Sequence, residues 1–207
     1  MDEEGIKKHI LLGFQQLFQT EDQLSPLHSD IESFACSFLS EEDQVIISRQ
    51  VTEEEITKGL WGLKPFKAPG ADGLHVGFFQ YFWNDVKESV CKEVVQIFES
   101  RKMPEYLNET LISLIPKCQS PASLNNYRPI SLCTTIYKVV TKIIVGRLRT
   151  FLDKLISPVQ AAFVPGRRGL DNVIIAQELL HSIDLKKGNK YFMAIKIDLA
   201  KAYDRLE

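Results

Sequence analysis

Cysteine is scarce in this chain of 207 residues, and its spacing matches no common metal site. The four cysteines are Cys36, Cys91, Cys118 and Cys133. None of them belongs to a Cys-x-x-Cys pair, and the four histidines are scattered along the chain. A zinc site is therefore not expected, and we predict free thiols in a reducing compartment.

Long apolar runs and a secretory signal are also missing. No stretch approaches the roughly 20 apolar residues that a membrane-spanning helix needs, and the first residues do not form a signal peptide. The hydrophobic content of 44% and the charged content of 25% are ordinary for a globular protein. We therefore predict an intracellular protein, of the nucleus or cytoplasm, with no membrane partner.

Acidic and basic residues are unevenly distributed. Residues 1–60 carry four basic and thirteen acidic residues, a net charge of -9, whereas residues 61–207 carry a net charge of +7. A mildly basic region suits a polyanionic partner, but ordinary protein surfaces also reach this charge. Charge by itself leaves both interpretations open.

The acidic N-terminal region predicts helices without visible chemistry. Apolar residues recur at helical spacing over residues 3–19. Acids after Ser40 favour the start of a second helix. Thr52 and Glu55 have the form of a capping box, which opens a third helix that reaches about Leu63. We expect this leader to pack on another surface.

Residues 64–74 predict a turn-rich connection. Two prolines and two glycines within ten residues break any helix. Exposed backbone N–H groups beside Lys64 and Lys67 can meet phosphates. The pattern is neither a Walker loop nor a dinucleotide fingerprint, so the spacing alone favours a connector.

The middle of the chain predicts a helix, continuous or broken, over residues 75–101 and a short strand over residues 111–115 that ends at Pro116. The helix is rich in aromatic residues. Aromatic rings near basic residues can stack on nucleobases, but at helical spacing they usually belong to the hydrophobic core. We favour the core interpretation here. These aromatic residues are Phe78, Phe79, Tyr81, Phe82, Trp83 and Phe98.

A basic amphipathic helix is predicted over residues 134–155. Its basic residues can grip a phosphate backbone, although a solvated outer face is the commoner explanation. They are Lys138, Lys142, Arg147, Arg149 and Lys154. After it, a Pro-Gly turn presents Arg167 and Arg168, and a further helix is predicted over residues 171–184.

Residues 191–197 alternate in character as a strand does, and Asp198 stands at the end of that strand. Met193, Ile195 and Ile197 fall on one face, which we expect to be buried. A carboxylate held by a rigid strand beside a cleft suits a hard cation such as Mg²⁺. Asp198 equally suits the cap of the next helical turn, and this stretch does not choose between the two.

Five blocks, taken in order, resemble the blocks of a reverse transcriptase. They are Lys67-Ala-Pro-Gly-Ala-Asp-Gly73, Ile112-Ser-Leu-Ile-Pro-Lys117, Asn126-Tyr-Arg-Pro-Ile-Ser-Leu132, Ser157-Pro-Val-Gln-Ala-Ala-Phe-Val-Pro-Gly-Arg167 and Ile197-Asp-Leu-Ala-Lys-Ala-Tyr-Asp204. The series is most similar to LINE-type non-LTR retrotransposon polymerases, in their plant form, and runs from about residue 55 to the C-terminus. One block is weak support, whereas five in the family's order are strong support.

This resemblance implies an α/β (α+β), predominantly helical fold. Residues 1–54 would be the acidic helical leader. Residues 55–207 would be an incomplete reverse-transcriptase domain, with the fingers and the start of the palm. The resemblance also implies an RNA template, a DNA primer, deoxynucleoside triphosphates and Mg²⁺ as ligands.

The resemblance also implies a function for individual residues. Asp198 matches the first catalytic aspartate of the palm, a ligand of both metal ions. Tyr203 matches the aromatic gate that packs under the deoxyribose, and Arg128 matches the arginine that clamps the triphosphate. Lys117 would be a second triphosphate cation. Asp204 would buttress the turn.

Five further residues match blocks on the template-primer or nucleotide side of the family's site. They are Lys67, Gly70, Gln160, Gly166 and Arg167. Two positions depart from the family pattern, because Ala71 stands where proline is usual and Arg168 stands where an apolar residue is common.

A larger departure is that the chain holds no Asp-Asp pair, although these polymerases carry a Tyr/Phe-x-Asp-Asp block that shares the metal ions with the first aspartate. We therefore expect a polymerase fragment that is inactive alone, since one carboxylate does not assemble a two-metal site. Two alternatives are a non-catalytic nucleic-acid-binding module and a helical protein-interaction fragment. The binding module would act through Lys64, Lys67, Lys138, Lys142, Arg167 and Arg168.

Overall fold

The computed structural model of the chain describes residues 2–18, 39–186 and 192–197, without the side chains of residues 17 and 18. The chain divides into two units, residues 38–155 and residues 1–37 with 156–207. The buried hydrophobic cluster belongs to the unit of residues 38–155. Helices predominate in the described residues, as the sequence predicts, and two strands form one sheet.

Side-chain caps set the start of the first two helices of this unit. Helix α2 (Glu41–Ser48) begins after Ser40, whose hydroxyl accepts from the Asp43 N–H at 3.2 Å. Helix α3 (Glu53–Trp61) begins at the predicted capping box. The Thr52 hydroxyl accepts from the Glu55 N–H, and the Glu55 carboxylate accepts from the Thr52 N–H, both at 3.3 Å. Both predicted starts are confirmed.

The predicted helix over residues 75–101 is broken at Phe82 into α4 (Val76–Tyr81) and α5 (Trp83–Ser100). A short helix, α6 (Glu105–Asn108), follows. The expectation that the aromatic residues here are core is only partly right. Phe79 is buried, but Tyr81 and Phe82, at the end of α4, are exposed.

Strands β1 (Leu111–Pro116) and β2 (Tyr127–Leu132) form an antiparallel hairpin, paired from Leu111 with Leu132 to Pro116 with Tyr127. The sequence predicted β1 but not β2, whose Pro129 argues against a central strand. Within the described chain β2 pairs with a strand on one side only, so it is an edge strand. Proline, which has no backbone N–H to donate, is tolerated in an edge strand.

The predicted helix over residues 134–155 is two helices, α7 (Thr135–Arg149) and α8 (Leu152–Leu155). One face of α7 packs against α3 and α5, and these three helices supply most of the core. The buried residues of this core include Ile56, Leu60, Val90, Val94, Ile97, Ile136, Val139, Val140 and Ile143.

The other unit contains α1 (Glu3–Phe18) and α9 (Gly169–Leu185), both near their predicted positions. The predicted strand is not found in its described part, because residues 192–197 have no ladder and are exposed. Met193, Ile195 and Ile197 therefore do not form a buried face. No strand of the described residues pairs with this segment, and an unpaired strand is not stable by itself.

Candidate functional site

The hairpin brings two predicted substrate-binding cations, Lys117 and Arg128, to one end of the sheet. Arg128 lies opposite Ile115 in the register. The Lys117 N–H donates to the Asn126 carbonyl at 2.7 Å, which extends the ladder by one residue. Because alternate residues of a strand share a face, Lys117 and Arg128 are diagonal neighbours on one face of the hairpin.

The two cations differ in what they contact. The Lys117 ammonium donates to the Asn125 carbonyl at 2.9 Å, so the loop between the strands holds it. Arg128 is exposed, and its guanidinium forms no hydrogen bond or ion pair with another described residue. No carboxylate of the described chain pairs with either side chain. Two adjacent cations without a carboxylate partner create a positive field that favours binding of an anion.

Gly70 is buried where the loop of residues 64–74 passes the N-terminus of α7. A Cβ at this position would lie 2.4 Å from the Thr134 nitrogen and 2.5 Å from the Cys133 carbonyl carbon. No side chain fits at these distances, and the atoms in the way belong to the backbone. Gly70 therefore has a packing function in this fold, and its place on the template-primer side stays a prediction.

Two side chains of α7 hold the same loop. The Thr135 hydroxyl donates to the Leu74 carbonyl at 3.0 Å, and the Lys138 ammonium donates to the Ala68 carbonyl at 3.3 Å. Lys67, the other predicted template-side residue of this loop, is exposed. The loop thus presents Lys67 from a braced backbone.

Arg147 was predicted only as a member of a basic helix, but the protein uses every N–H of its guanidinium internally. Nε and Nη2 donate to the two carboxylate oxygens of Glu55 at 3.1 and 2.7 Å. The carbonyls of Ile47, Arg49 and Gln50 accept the remaining bonds at 2.9, 2.7 and 3.2 Å. With a side chain 8% exposed, Arg147 joins α7 to α3, to the end of α2 and to the segment after it.

This contact changes the acidity of Glu55. Hydrogen bonds from Arg147, and then from Arg49 and the Thr52 N–H, lower the pKa of Glu55 from 4.5 to about 2, against the effect of burial. A carboxylate that accepts several N–H bonds is stabilised in its ionised form. Nearby, Lys154 donates to both oxygens of Asp43 at 2.9 and 2.8 Å. Arg147 and Lys154 are therefore structural cations here.

A cavity of about 620 Å³ lies beside Arg147. Its apolar wall is formed by Val51, Val95, Phe98, Ile144 and Leu148. None of the residues singled out by the sequence for catalysis or substrate binding lines it. The Arg147 donors are already occupied, and the other charged side chains of the lining are Arg49, Glu99 and Arg101.

In the other unit, three predicted residues share one turn. The Arg167 guanidinium donates to the carbonyls of Ser157 at 2.5 Å, Gln160 at 2.8 Å and Ile156 at 3.0 Å. Gly166 has φ of 80°, which favours glycine. The structure thus places Gln160, Gly166 and Arg167 together, with Arg167 bracing the turn.

The same turn contains a residue that the sequence did not single out. Phe163 has φ of 64° and is 92% exposed. A positive φ is costly for a bulky residue, and such strain is found more often at functional sites. The sequence signal was its central place in the block of residues 157–167.

The remaining predicted residues, Asp198, Tyr203 and Asp204, lie outside the described residues. Within the described ranges no three histidine, cysteine, aspartate or glutamate side chains lie close enough to hold a metal ion. Those ranges also contain no helix that is both long and apolar enough to cross a membrane.

Comparison with known proteins identifies relatives of this chain. The family described as "Reverse transcriptase (RNA-dependent DNA polymerase)" matches residues 115–207. The chain is 31% identical over its whole length to "Transposon TX1 uncharacterized 149 kDa protein" of Xenopus laevis, of which it covers 16%. Over 75% of its length it is 25% identical to "Retrovirus-related Pol polyprotein from type-1 retrotransposable element R2" of Popillia japonica, of which it covers 20%.

The chain therefore spans about a fifth or less of the length of the curated relatives it matches. Three of the five sequence blocks lie fully within the residues that the family matches. These relatives do not test the plant form, which stays a prediction. Residues 115–207 thus match the reverse transcriptase family, and the relatives over the longer range support a fragment of a LINE-type, non-LTR retrotransposon reverse transcriptase.

Proposed function

We propose that residues 55–207 supply the fingers and the start of the palm of this polymerase, behind a leader of residues 1–54. The reaction would join a deoxynucleotide to the 3′-hydroxyl of a DNA primer on an RNA template, in the nucleus or cytoplasm. The observation that carries this proposal is the shared face of Lys117 and Arg128 on the hairpin.

Arg128 would clamp the triphosphate of the incoming nucleotide. Its guanidinium offers a planar pair of donors that matches two phosphate oxygens, and no described residue competes for it. Lys117, the diagonal neighbour of Arg128, would add a second positive charge to the same face. An antiparallel pair is a firmer support for such a geometry than a loop.

The catalytic end of the site is assigned to Asp198 and Tyr203. Asp198 would hold Mg²⁺, and the family uses divalent metal ions in general. Bound divalent ions supply charge stabilisation at the transferring phosphoryl group. Tyr203 would exclude a 2′-hydroxyl by contact under the sugar, since a clash discriminates strongly between substrates.

The template-primer or nucleotide side is assigned to two separate groups. Lys67 stands in the braced loop that requires Gly70. Gln160, Gly166 and Arg167 form the turn after α8, where a left-handed backbone and three carbonyl contacts fix the shape. Both groups would act through their backbone shape as well as their charge.

Nucleotide binding tests the assignment of Arg128. The 207-residue chain is titrated with a fluorescent deoxynucleoside triphosphate in Mg²⁺, with and without Arg128→Ala. We expect Kd to rise about tenfold or more, because a charge-assisted bidentate contact is lost. Arg128→Lys should recover part of this loss, since it keeps charge but not the planar pair.

Arg149→Ala is the matched control, because Arg149 is also exposed but stands on α7. It should change Kd by less than about twofold. Equal effects of Arg128→Ala and Arg149→Ala on Kd would show that only net charge matters and would contradict the proposed clamp.

Primer extension tests the catalytic assignment separately. These 207 residues hold no Asp-Asp pair, so we expect no extension of a primed RNA template by this chain in Mg²⁺. Nucleotide binding should nevertheless be retained. Extension that survives Asp198→Asn would contradict the proposed function of Asp198.

A further inference from the structure

Residues 56–84 concentrate aromatic rings and lysines in a stretch that is nearly free of acids. This stretch holds seven phenylalanine, tyrosine or tryptophan residues, three lysines and one carboxylate, Asp72. Phe66 is 85% exposed and Tyr81 is 83% exposed. Large rings usually gain stability by burial, so packing in this fold does not account for these two.

Contacts within the stretch hold one ring beside each end of α4. The Gly77 N–H donates to the Pro65 carbonyl at 2.9 Å, which fixes the preceding loop against the helix. The Phe66 ring meets the His75 ring edge-on, with 6.0 Å between centroids. Tyr81 is the last residue of α4, which is six residues long, so both rings lie near the same short helix.

The support under these rings is firm. The Gln80 side-chain amide donates to the carbonyls of Leu60 and Leu63 at 3.1 and 3.2 Å, which joins α4 to the end of α3. Tyr81 also packs against Phe82, with 4.8 Å between ring centroids. Both exposed rings are thus presented by braced backbone.

The charges around the rings favour a polyanion. Lys64 and Lys67, on either side of Phe66, are exposed and form no ion pair or hydrogen bond with another described residue. The only carboxylate of the stretch, Asp72, accepts from the Leu74 N–H at 3.1 Å and closes its own turn. Exposed rings with flanking lysines are the combination by which proteins bind single strands without reading sequence.

We propose that this surface, defined by Lys64, Phe66, Lys67 and Tyr81, binds a single-stranded segment of the RNA template. The inference rests on the proposed function for the identity of the strand. Phe66 and Tyr81 stack on unpaired bases, while Lys64 and Lys67 contact the phosphates. A duplex keeps its bases stacked inside and cannot offer them to these rings.

Binding of a 12-nucleotide RNA to the 207-residue chain, followed by fluorescence anisotropy, tests the surface. The double change Phe66→Ala with Tyr81→Ala should raise Kd about tenfold or more, since base–aromatic stacking is lost. An oligomer of the same length without bases should bind both proteins equally. Lys64→Ala and Lys67→Ala should each reduce the slope of log Kd against log salt concentration by about 0.7, because one phosphate contact is lost.

Two matched controls accompany these variants. Tyr106→Ala removes another exposed ring, from α6, and Lys92→Ala removes another exposed lysine, from α5. Thermal melting of each variant establishes that the fold is intact. The proposal is overturned if the ring changes shift Kd by less than about twofold, if Tyr106→Ala has an equal effect, or if duplex RNA binds as tightly.

The nucleotide titration with Arg128→Ala separates this inference from the function on which it rests. If Arg128→Ala abolishes nucleotide binding while the changes at Phe66 and Tyr81 leave Kd for RNA unchanged, only the proposal of the stacking surface is contradicted. The reverse result would leave an RNA-binding surface on a chain whose nucleotide clamp had been assigned wrongly.

Discussion

Residues of the same type have different structural functions at different places in this fold. Gly70 and Gly146 are both glycines of the same unit, yet a Cβ at Gly70 would meet backbone at 2.4 Å, whereas nothing lies within 4 Å of one at Gly146. Arg147 and Arg149 are two positions apart on α7, yet only Arg147 is enclosed. Position in the fold, more than residue type, decides each function.

Alanine at the two glycines should change stability in opposite directions. Gly70→Ala should lower the free energy of unfolding by about 2 kcal/mol or more, because backbone atoms must move. Gly146→Ala should raise it by roughly 0.5–1 kcal/mol, because alanine is the better helix former. Urea denaturation measures both. A stabilising effect of Gly70→Ala would show that the loop does not pack on α7 as described.

The Glu55–Arg147 contact should make stability depend on pH in the acid range. The pKa of Glu55 is lowered from 4.5 to about 2 in the folded protein, so the carboxylate stabilises the fold fully above about pH 5. This contribution is lost as pH falls through the interval from 4.5 to about 2. Urea midpoints measured across this interval should fall.

Glu55→Gln is the control for that dependence. The glutamine does not titrate, so its urea midpoint should fall less steeply over the same interval, from a lower starting value. The paired carboxylate Asp43 should contribute a smaller fall in both proteins, since Lys154 lowers its pKa also. Identical slopes for the two proteins would contradict the account of Glu55.

Among the elements, the hairpin and the three core helices differ in how they are stabilised. Helices α3, α5 and α7 bury one face each in a shared core. No residue of the hairpin is fully buried, and apolar side chains such as Ile112 and Ile115 are exposed on its two faces. The element that presents Arg128 is therefore held mainly by its own ladder.

Amide hydrogen exchange should report this difference. The hairpin N–H groups should exchange faster than those of α3 and α7, because local opening of the hairpin exposes little buried surface. Excess deoxynucleoside triphosphate should slow exchange in the hairpin, and this slowing should be absent from Arg128→Ala. Equal protection of the hairpin and α7 in the free protein would show that the hairpin is packed more tightly than the contacts indicate.

For the whole molecule, the two units should differ in resistance to protease. Residues 192–197 are exposed and unpaired, whereas the basic residues of α7 stand in a helix fixed to the core. Trypsin should therefore cut after Lys196 before it cuts α7. Mass spectrometry of a time course identifies the order. A product that keeps residues 192–197 after α7 has been cut would contradict this.

Much of the helical architecture could be predicted because its signals are local. Ser40 and Thr52 mark helix starts through bonds to N–H groups three residues away, which are written in the sequence itself. Strand β2 could not be predicted in this way, because Pro129 is acceptable only at an edge, and an edge is a property of the sheet. The strand predicted over residues 191–197 had the right alternation but has no partner among the described residues.

The candidate site likewise has features that the sequence predicted and features that depend on tertiary structure. The sequence blocks identified Arg128 and Lys117 as a pair, and the register of the hairpin gave them a common face. The exposure of Tyr81 was not predictable, since its helical spacing also suits a core, and Phe66 in the preceding loop was not singled out. Arg167 was predicted on the template-primer or nucleotide side, and its contacts with its own turn appear only in the structure.

The resemblance to reverse transcriptases, the capped helices and the choice of substrate-binding candidates follow from patterns in the amino-acid sequence. These depend on residue types within a few positions and on the order of short blocks. Long-range packing, in contrast, settles which cation is structural, which glycine has no room for a side chain and which rings remain in water. Arg147 reaches a carbonyl 100 residues away, and contacts of that range follow from packing, which no local pattern encodes.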